Sequence, residues 1–167
     1  MTYPTLCRTL AAALAVATLA VPAGADEPAA SSTCKAIHAD MVELRSTSGC
    51  KPGHPSCFLG TVDGNHGLRG TTYFRADSFG TAPSATPAFL PYSGAFEYVT
   101  ERGVLVMRET GVSNQSQGNP ESGAVTAYQK VVDGTGEFAG AAGYFFVSGF
   151  SRNGRVVTTL TGELCKP

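Results

Sequence analysis

Hydrophobic and polar positions alternate with a period of two along most of this chain. Ile37, Ala39 and Met41 share one parity while His38 and Asp40 take the other, which is the pattern of a strand with one apolar face. From 67 to 79, Leu68, Gly70, Thr72, Phe74 and Ala76 alternate with Arg69, Thr71, Tyr73, Arg75 and Asp77, a strand with one wet face. Comparable runs at 57–62, 92–100, 104–112, 124–132, 144–150 and 156–165 bring the expectation to about eight strands. Asp63-Gly64-Asn65, Glu101-Arg102-Gly103 and Asn153-Gly154 read as tight turns between them, Asn-Gly being a preferred pair for a two-residue hairpin. Residues 46–56, 80–91 and 114–123 are rich in Pro, Gly or polar residues and read as loops. Mostly short connections favour antiparallel neighbours, so the expected fold is all-β, a single antiparallel eight-stranded up-and-down barrel.

The glycines from Gly134 to Gly149 sharpen that expectation. Glycine weakens a strand interior unless the backbone must bend or be approached closely. A barrel corner facing a crowded interior supplies the need. A phosphate-binding loop does not fit, because the segment has the wrong glycine spacing and leads into a strand rather than a helix.

Composition adds compartment and excludes partners. Arg8, the apolar run from Leu10 to Val21 and Ala23-Gly24-Ala25 make residues 1–25 a secretory signal peptide, followed by a flexible leader at 26–33 and a barrel domain at 34–167. The apolar run is short for a spanning helix. Without Arg8 the remainder holds 11 basic and 13 acidic residues with no basic run, so nucleic acid and a polybasic membrane mode are poor partners. Cys34, Cys50, Cys57 and Cys165 form an even set in an exported domain, hence two disulfides. Four cysteines allow three pairings; Cys50–Cys57 and Cys34–Cys165 are favoured, the second tying the first strand to the last. Cys50, His54 and Cys57 offer only three local metal ligands, so the disulfide outweighs a zinc site. Asn114-Gln115-Ser116 is a glycosylation sequon.

Gly134-Thr-Gly-Glu-Phe-Ala-Gly-Ala-Ala-Gly143 resembles the Gly-Thr-Gly-x-Phe-x-Gly-Ala-x-Gly corner of the allene oxide cyclase barrel-like superfamily, which includes plant allene oxide cyclases and dirigent proteins. Gly162-Glu-Leu-Cys165 and the opening Cys34, Cys50 and Cys57 look like a secreted bacterial branch of it. The resemblance implies a calycin-like barrel, homo-oligomers as in the plant members, and chemistry without a cofactor. Its cyclases use a carboxylate and a bound water near the lumen, and its dirigent proteins steer radical coupling. No family residue aligns with a numbered position here, so no catalytic assignment is carried over.

Candidate chemistry is sparse. Glu109 shares parity with Leu105, Met107 and Gly111, but Val104, Val106 and Val112 make the opposite face apolar too, so the pattern leaves its direction open. Glu43 has the same ambiguity. Either, if turned into the lumen, would be desolvated and suited to proton transfer; a surface or barrel-mouth glutamate is the plainer alternative. Tyr128, Phe146 and Met107 are candidate ligand-lining residues. His38, His54 and His66 lack metal spacing, and Ser48, Ser78 and Ser148 lack a nucleophile elbow. No metal or cofactor is expected. Three readings follow: a secreted barrel holding a small apolar or aromatic molecule, a cofactor-independent cyclase or isomerase, and a filled barrel acting through its surface. A cavity of a few hundred Å3, with or without a carboxylate inside, separates them.

Overall fold

The computed structural model describes residues 33–116 and 119–166, without the side chains of 116–121. The expected signal peptide and the leader to residue 32 lie outside this range, and Thr33 already belongs to the first strand. Eight strands form one closed barrel: β1 (Thr33–Ser46), β2 (Cys57–Gly64), β3 (Arg69–Phe79), β4 (Phe89–Thr100), β5 (Gly103–Ser116), β6 (Asn119–Gly134), β7 (Ala142–Arg152) and β8 (Arg155–Lys166). Each pairs antiparallel with the next, and β8 returns to β1. Closure leaves no unpaired edge to recruit another chain. Among the described residues no helix is long and apolar enough to cross a membrane.

The period of two fixes which side chains face inward. Ile37, Ala39, Met41 and Glu43 of β1, Phe96 and Tyr98 of β4, Leu105, Met107 and Glu109 of β5, and Phe145 and Val147 of β7 are all buried. A one-residue slip would turn these sets outward, so burial itself holds the register. One column of rings runs down the interior. Phe58 meets Phe74 at 6.1 Å between centroids, Phe74 meets Phe96 at 5.7 Å, Phe96 meets Tyr98 at 4.7 Å, and Tyr98 meets Phe145 edge-on at 5.8 Å. Aromatic contacts of this kind each add about 0.5–1.5 kcal/mol beyond their buried area.

The glycine-rich corner plugs one end. Gly136, which opens a single-turn 3-10 segment (Gly136–Phe138), and Gly140 just beyond it take left-handed φ values of 61° and 69°. That turn drives Phe138, which is fully buried, into the core beside the lower strands. At Gly143 a side chain would come within 2.2 Å of the Glu163 carbonyl oxygen, so glycine lets β7 close against β8. The bend expected of these glycines is present, and its product is a Phe138 ring buried in the core at that end.

Several boundaries differ from expectation: Asp63 and Gly64, expected to open a turn, still belong to β2 through pairing with Asp40 and Ala39 of β1. Residues 114–123 are mostly strand, because Gln115 pairs with Gly123 and Ser116 with Asn119. Ladder hydrogen bonds there outweigh a polar composition that only signals a solvated rim. β4 starts at Phe89, three residues before the expected Tyr92, through pairing of Phe89 with Asn114.

Both favoured disulfides form. Cys34 and Cys165 are directly opposed on β1 and β8 and bridge the seam where the barrel closes. Cys50–Cys57 closes the small loop between β1 and β2. Two bridges fit an oxidising compartment. The seam bridge joins residues 131 apart, and a loop of that size constrains the unfolded chain by about 5 kcal/mol on the chain-entropy account. Replacing Cys34 and Cys165 together with serine should lower the thermal midpoint by roughly 10–20 °C, read by circular dichroism. Loss of Cys50–Cys57 should cost less, since its loop is short.

Candidate functional site

Opposite the plugged floor the barrel opens as a cup of about 420 Å3. Its wall includes Met41, Phe58, Phe74, Tyr92, Val147 and Thr158, and Glu43 and Glu109 also line it. Arg45, Pro55 and Ser56 lie at the mouth end of their strands and loop. Both glutamates of ambiguous direction are therefore turned inward, 5% and 4% exposed.

Their partners come from neighbouring strands. Thr72 Oγ1 on β3 donates to Glu43 Oε1 at 3.2 Å. The two side chains meet across β2 because residue 60 is glycine. A Cβ there would lie 2.7 Å from Glu43 Cγ and 2.7 Å from Thr72 Oγ1. On the far wall Gln129 Nε2 donates to Glu109 Oε2 at 2.6 Å, and the buried Tyr98 hydroxyl donates to Gln129 Oε1. Tyr92 also hydrogen-bonds Glu109. Gly111 makes room for it, since a Cβ would stand 2.6 Å from the Tyr92 hydroxyl.

These surroundings set the charge state. Burial pushes Glu43 up to about 8, the nearby Glu109 pushes it further the same way, and the single Thr72 hydrogen bond opposes them. Burial also raises Glu109, but hydrogen bonds from Gln129 and Tyr92 work against the rise. Taking an unpaired carboxylate out of water costs several kcal/mol, more than one neutral hydrogen bond returns. Glu43 thus keeps its proton near neutrality, whereas Glu109 is the carboxyl better prepared to lose one. Burial raises the Tyr92 and Tyr98 phenols well above the ordinary range, so both serve as hydrogen-bond donors.

One polar atom of the cup is unpaired. Among the described residues, Thr158 Oγ1 is the only buried side-chain nitrogen or oxygen without a hydrogen-bond partner. Thr158 is 3% exposed and pairs with Met41, which makes it the diagonal neighbour of Glu43 on the same face.

The other sequence candidates lie elsewhere. Tyr128 and Phe146 are 40% and 56% exposed. They point outward because their parity opposes that of Ala127, Gln129 and Val147, and with Tyr144 they form a ring cluster on the outer face. They do not line the cup. Met107 faces inward but belongs to the packed core below it. His54 Nδ1 lies 2.6 Å from the Tyr73 hydroxyl on the outer wall, fastening the disulfide loop there. Among the described residues the one cysteine-containing cluster with metal-like spacing, Cys34, Glu163 and Cys165, has both sulfurs committed to the seam bridge.

Sequence reasoning missed Gln129, Tyr92, Thr72 and Thr158. A usable signal existed for three of them, Thr72 included, since it shares the parity of Leu68, Phe74 and Ala76. Gln129 sits on the parity of Ala127 and Val131, and Thr158 on that of Leu160, so each is a polar residue at a core position, which requires a partner.

Glu43 also fixes a direction for stability. Its folded-state carboxyl holds a proton up to about pH 8, whereas the ordinary value is 4.5. Between those values the folded form binds more protons than the unfolded one, so stability falls as pH rises through the window. Glu43→Gln should raise unfolding free energy by about 2–4 kcal/mol near pH 8 and change it little near pH 4, measured by urea denaturation. An equal effect at both pH values would contradict the burial argument. Compared with known proteins, the chain matches no family model, no curated protein and no solved structure.

Proposed function

We propose that this protein binds a small apolar or aromatic molecule in the open half of its barrel. The observation that carries the reading is the 420 Å3 cup, walled by aromatic and aliphatic side chains with a few inward polar groups. Small-molecule sites have this size and composition. A filled barrel acting only through its outer surface would have no reason to keep such a volume empty, since packing it would add stability. The two disulfides agree with work outside the reducing cytosol.

A second reading, a cofactor-independent cyclase or isomerase, is favoured by one observation: two carboxyls in one cup with opposed environments. Glu43 would give a proton and Glu109 take one, the division of labour that unequal surroundings produce. The resemblance to the allene oxide cyclase barrel-like superfamily supports the same reading at the level of fold. Glu109→Gln would then lower turnover by about 10²–10⁴-fold while leaving ligand affinity within about threefold.

The uncharged fluorophore N-phenyl-1-naphthylamine tests the cup directly. It should bind with micromolar affinity and enhanced emission. Val147→Trp, which fills the cup from β7, should weaken it at least tenfold, with circular dichroism confirming an intact fold. Unchanged affinity in a folded Val147→Trp variant would place the dye elsewhere and remove the reading.

A further inference from the structure

The hydrogen-bond partners of the two buried acids in the cup are neutral side chains. Among the described residues, Glu43 and Glu109 are buried on facing walls, and what acts on them is burial, the influence of Glu109 on Glu43, and hydrogen bonds from neutral side chains. Thr72, Gln129 and Tyr92 are those neutral partners. The cations among the lining residues are Arg45 and Arg75. Arg45 is exposed at the mouth, and Arg75 sits on the outward parity of β3, between the inward Phe74 and Ala76. Neither is among the groups that shift the two carboxyls.

Beside Glu43 stands the second observation, the unpartnered Thr158 hydroxyl. Buried polar groups are satisfied in folded proteins, and an orphan costs about 1–3 kcal/mol. Thr158 lines the cup, so this unmet hydrogen-bonding capacity lies in the wall beside Glu43 that a ligand would touch. The aromatic walls sharpen the choice, because ring faces carry partial negative charge and attract cations. An anionic ligand would meet two carboxyls and the faces of Phe74 and Tyr92, all unfavourable. A neutral ligand needs only one donor or acceptor and leaves the second acid without a purpose. A protonated amine matches every element, since its N–H groups can reach carboxylate and hydroxyl oxygens together while its apolar body packs on the rings.

We propose that the cup takes a hydrophobic amine as its ammonium ion, with the charged end held by Glu43, Glu109 and Thr158. The proposal rests on the cup-binding reading and narrows it to a ligand class. Uptake of an ammonium ion ionises the Glu43 carboxyl, which burial otherwise holds protonated near neutrality. The released proton passes to solvent, and the cation supplies the missing pairing.

A matched series tests it: tryptamine, tryptophol and indole-3-acetate carry one ring system with a positive, neutral and negative end. Isothermal titration near pH 7 should rank tryptamine at least tenfold tighter than tryptophol, with indole-3-acetate weakest. Repeating the tryptamine titration in buffers of different ionisation enthalpy should show net proton release. Glu43→Gln should abolish the tryptamine advantage while leaving tryptophol within about twofold, and Thr158→Val should weaken tryptamine severalfold. Tryptophol binding as tightly as tryptamine overturns the proposal, as does an advantage that survives in both Glu43→Gln and Glu109→Gln. In either case, retained N-phenyl-1-naphthylamine binding leaves the cup reading standing. Failure of the dye and all three indoles to bind removes both.

Discussion

Everything in this barrel depends on the return of the last strand to the first. β1 and β8 pair over twelve residues, from Thr33–Lys166 to Leu44–Arg155. Without that ladder the sheet would have two free edges and no enclosed interior, and no side chain of either parity would be inside. The Cys34–Cys165 bridge lies within the same ladder. It adds covalent constraint where sequence separation makes pairing entropically most expensive, since the two strands are the most distant in the chain.

Closure was legible in the sequence because several cues agree on it. Alternation in β1 and β3, the Asn153-Gly154 turn and the glycines around Gly140 all point the same way, and consistency across levels is what specifies a fold. The site was only half legible. Glu43 and Glu109 stood out as carboxylates among apolar residues, but β5 is apolar on both parities, so alternation alone could not choose a direction for Glu109. The same ambiguity misdirected Tyr128 and Phe146, which belong to strands whose outer faces are also hydrophobic. Gln129, Thr72 and Tyr92 act through cross-strand neighbours, and strand register is a property of pairing rather than of local sequence. Glycine at 60 and 111 was informative for a different reason than the corner glycines. Neither has a left-handed φ; each matters for the atom it omits.

The two carboxyls link stability to chemistry. Removing Glu43's charge-bearing group should strengthen the fold above the acid range, so its presence opposes stability. Groups kept despite that cost are concentrated where a protein acts on another molecule. Glu43 and Glu109 are also unequal, and the inequality arises from donors: one hydroxyl for the first, an amide and a phenol for the second. A barrel wall is well suited to maintain such a difference, because the donors are fixed by strand register instead of by mobile loops.

The Phe138 plug carries a kinetic consequence. If the cup holds a ligand as proposed, the packed core and buried Phe138 beneath it leave only the doorway by which it entered, so an occupied chamber would not be flushed from behind by a second visitor. Exchange then waits on spontaneous departure, and residence time, more than encounter frequency, governs how quickly cargo turns over.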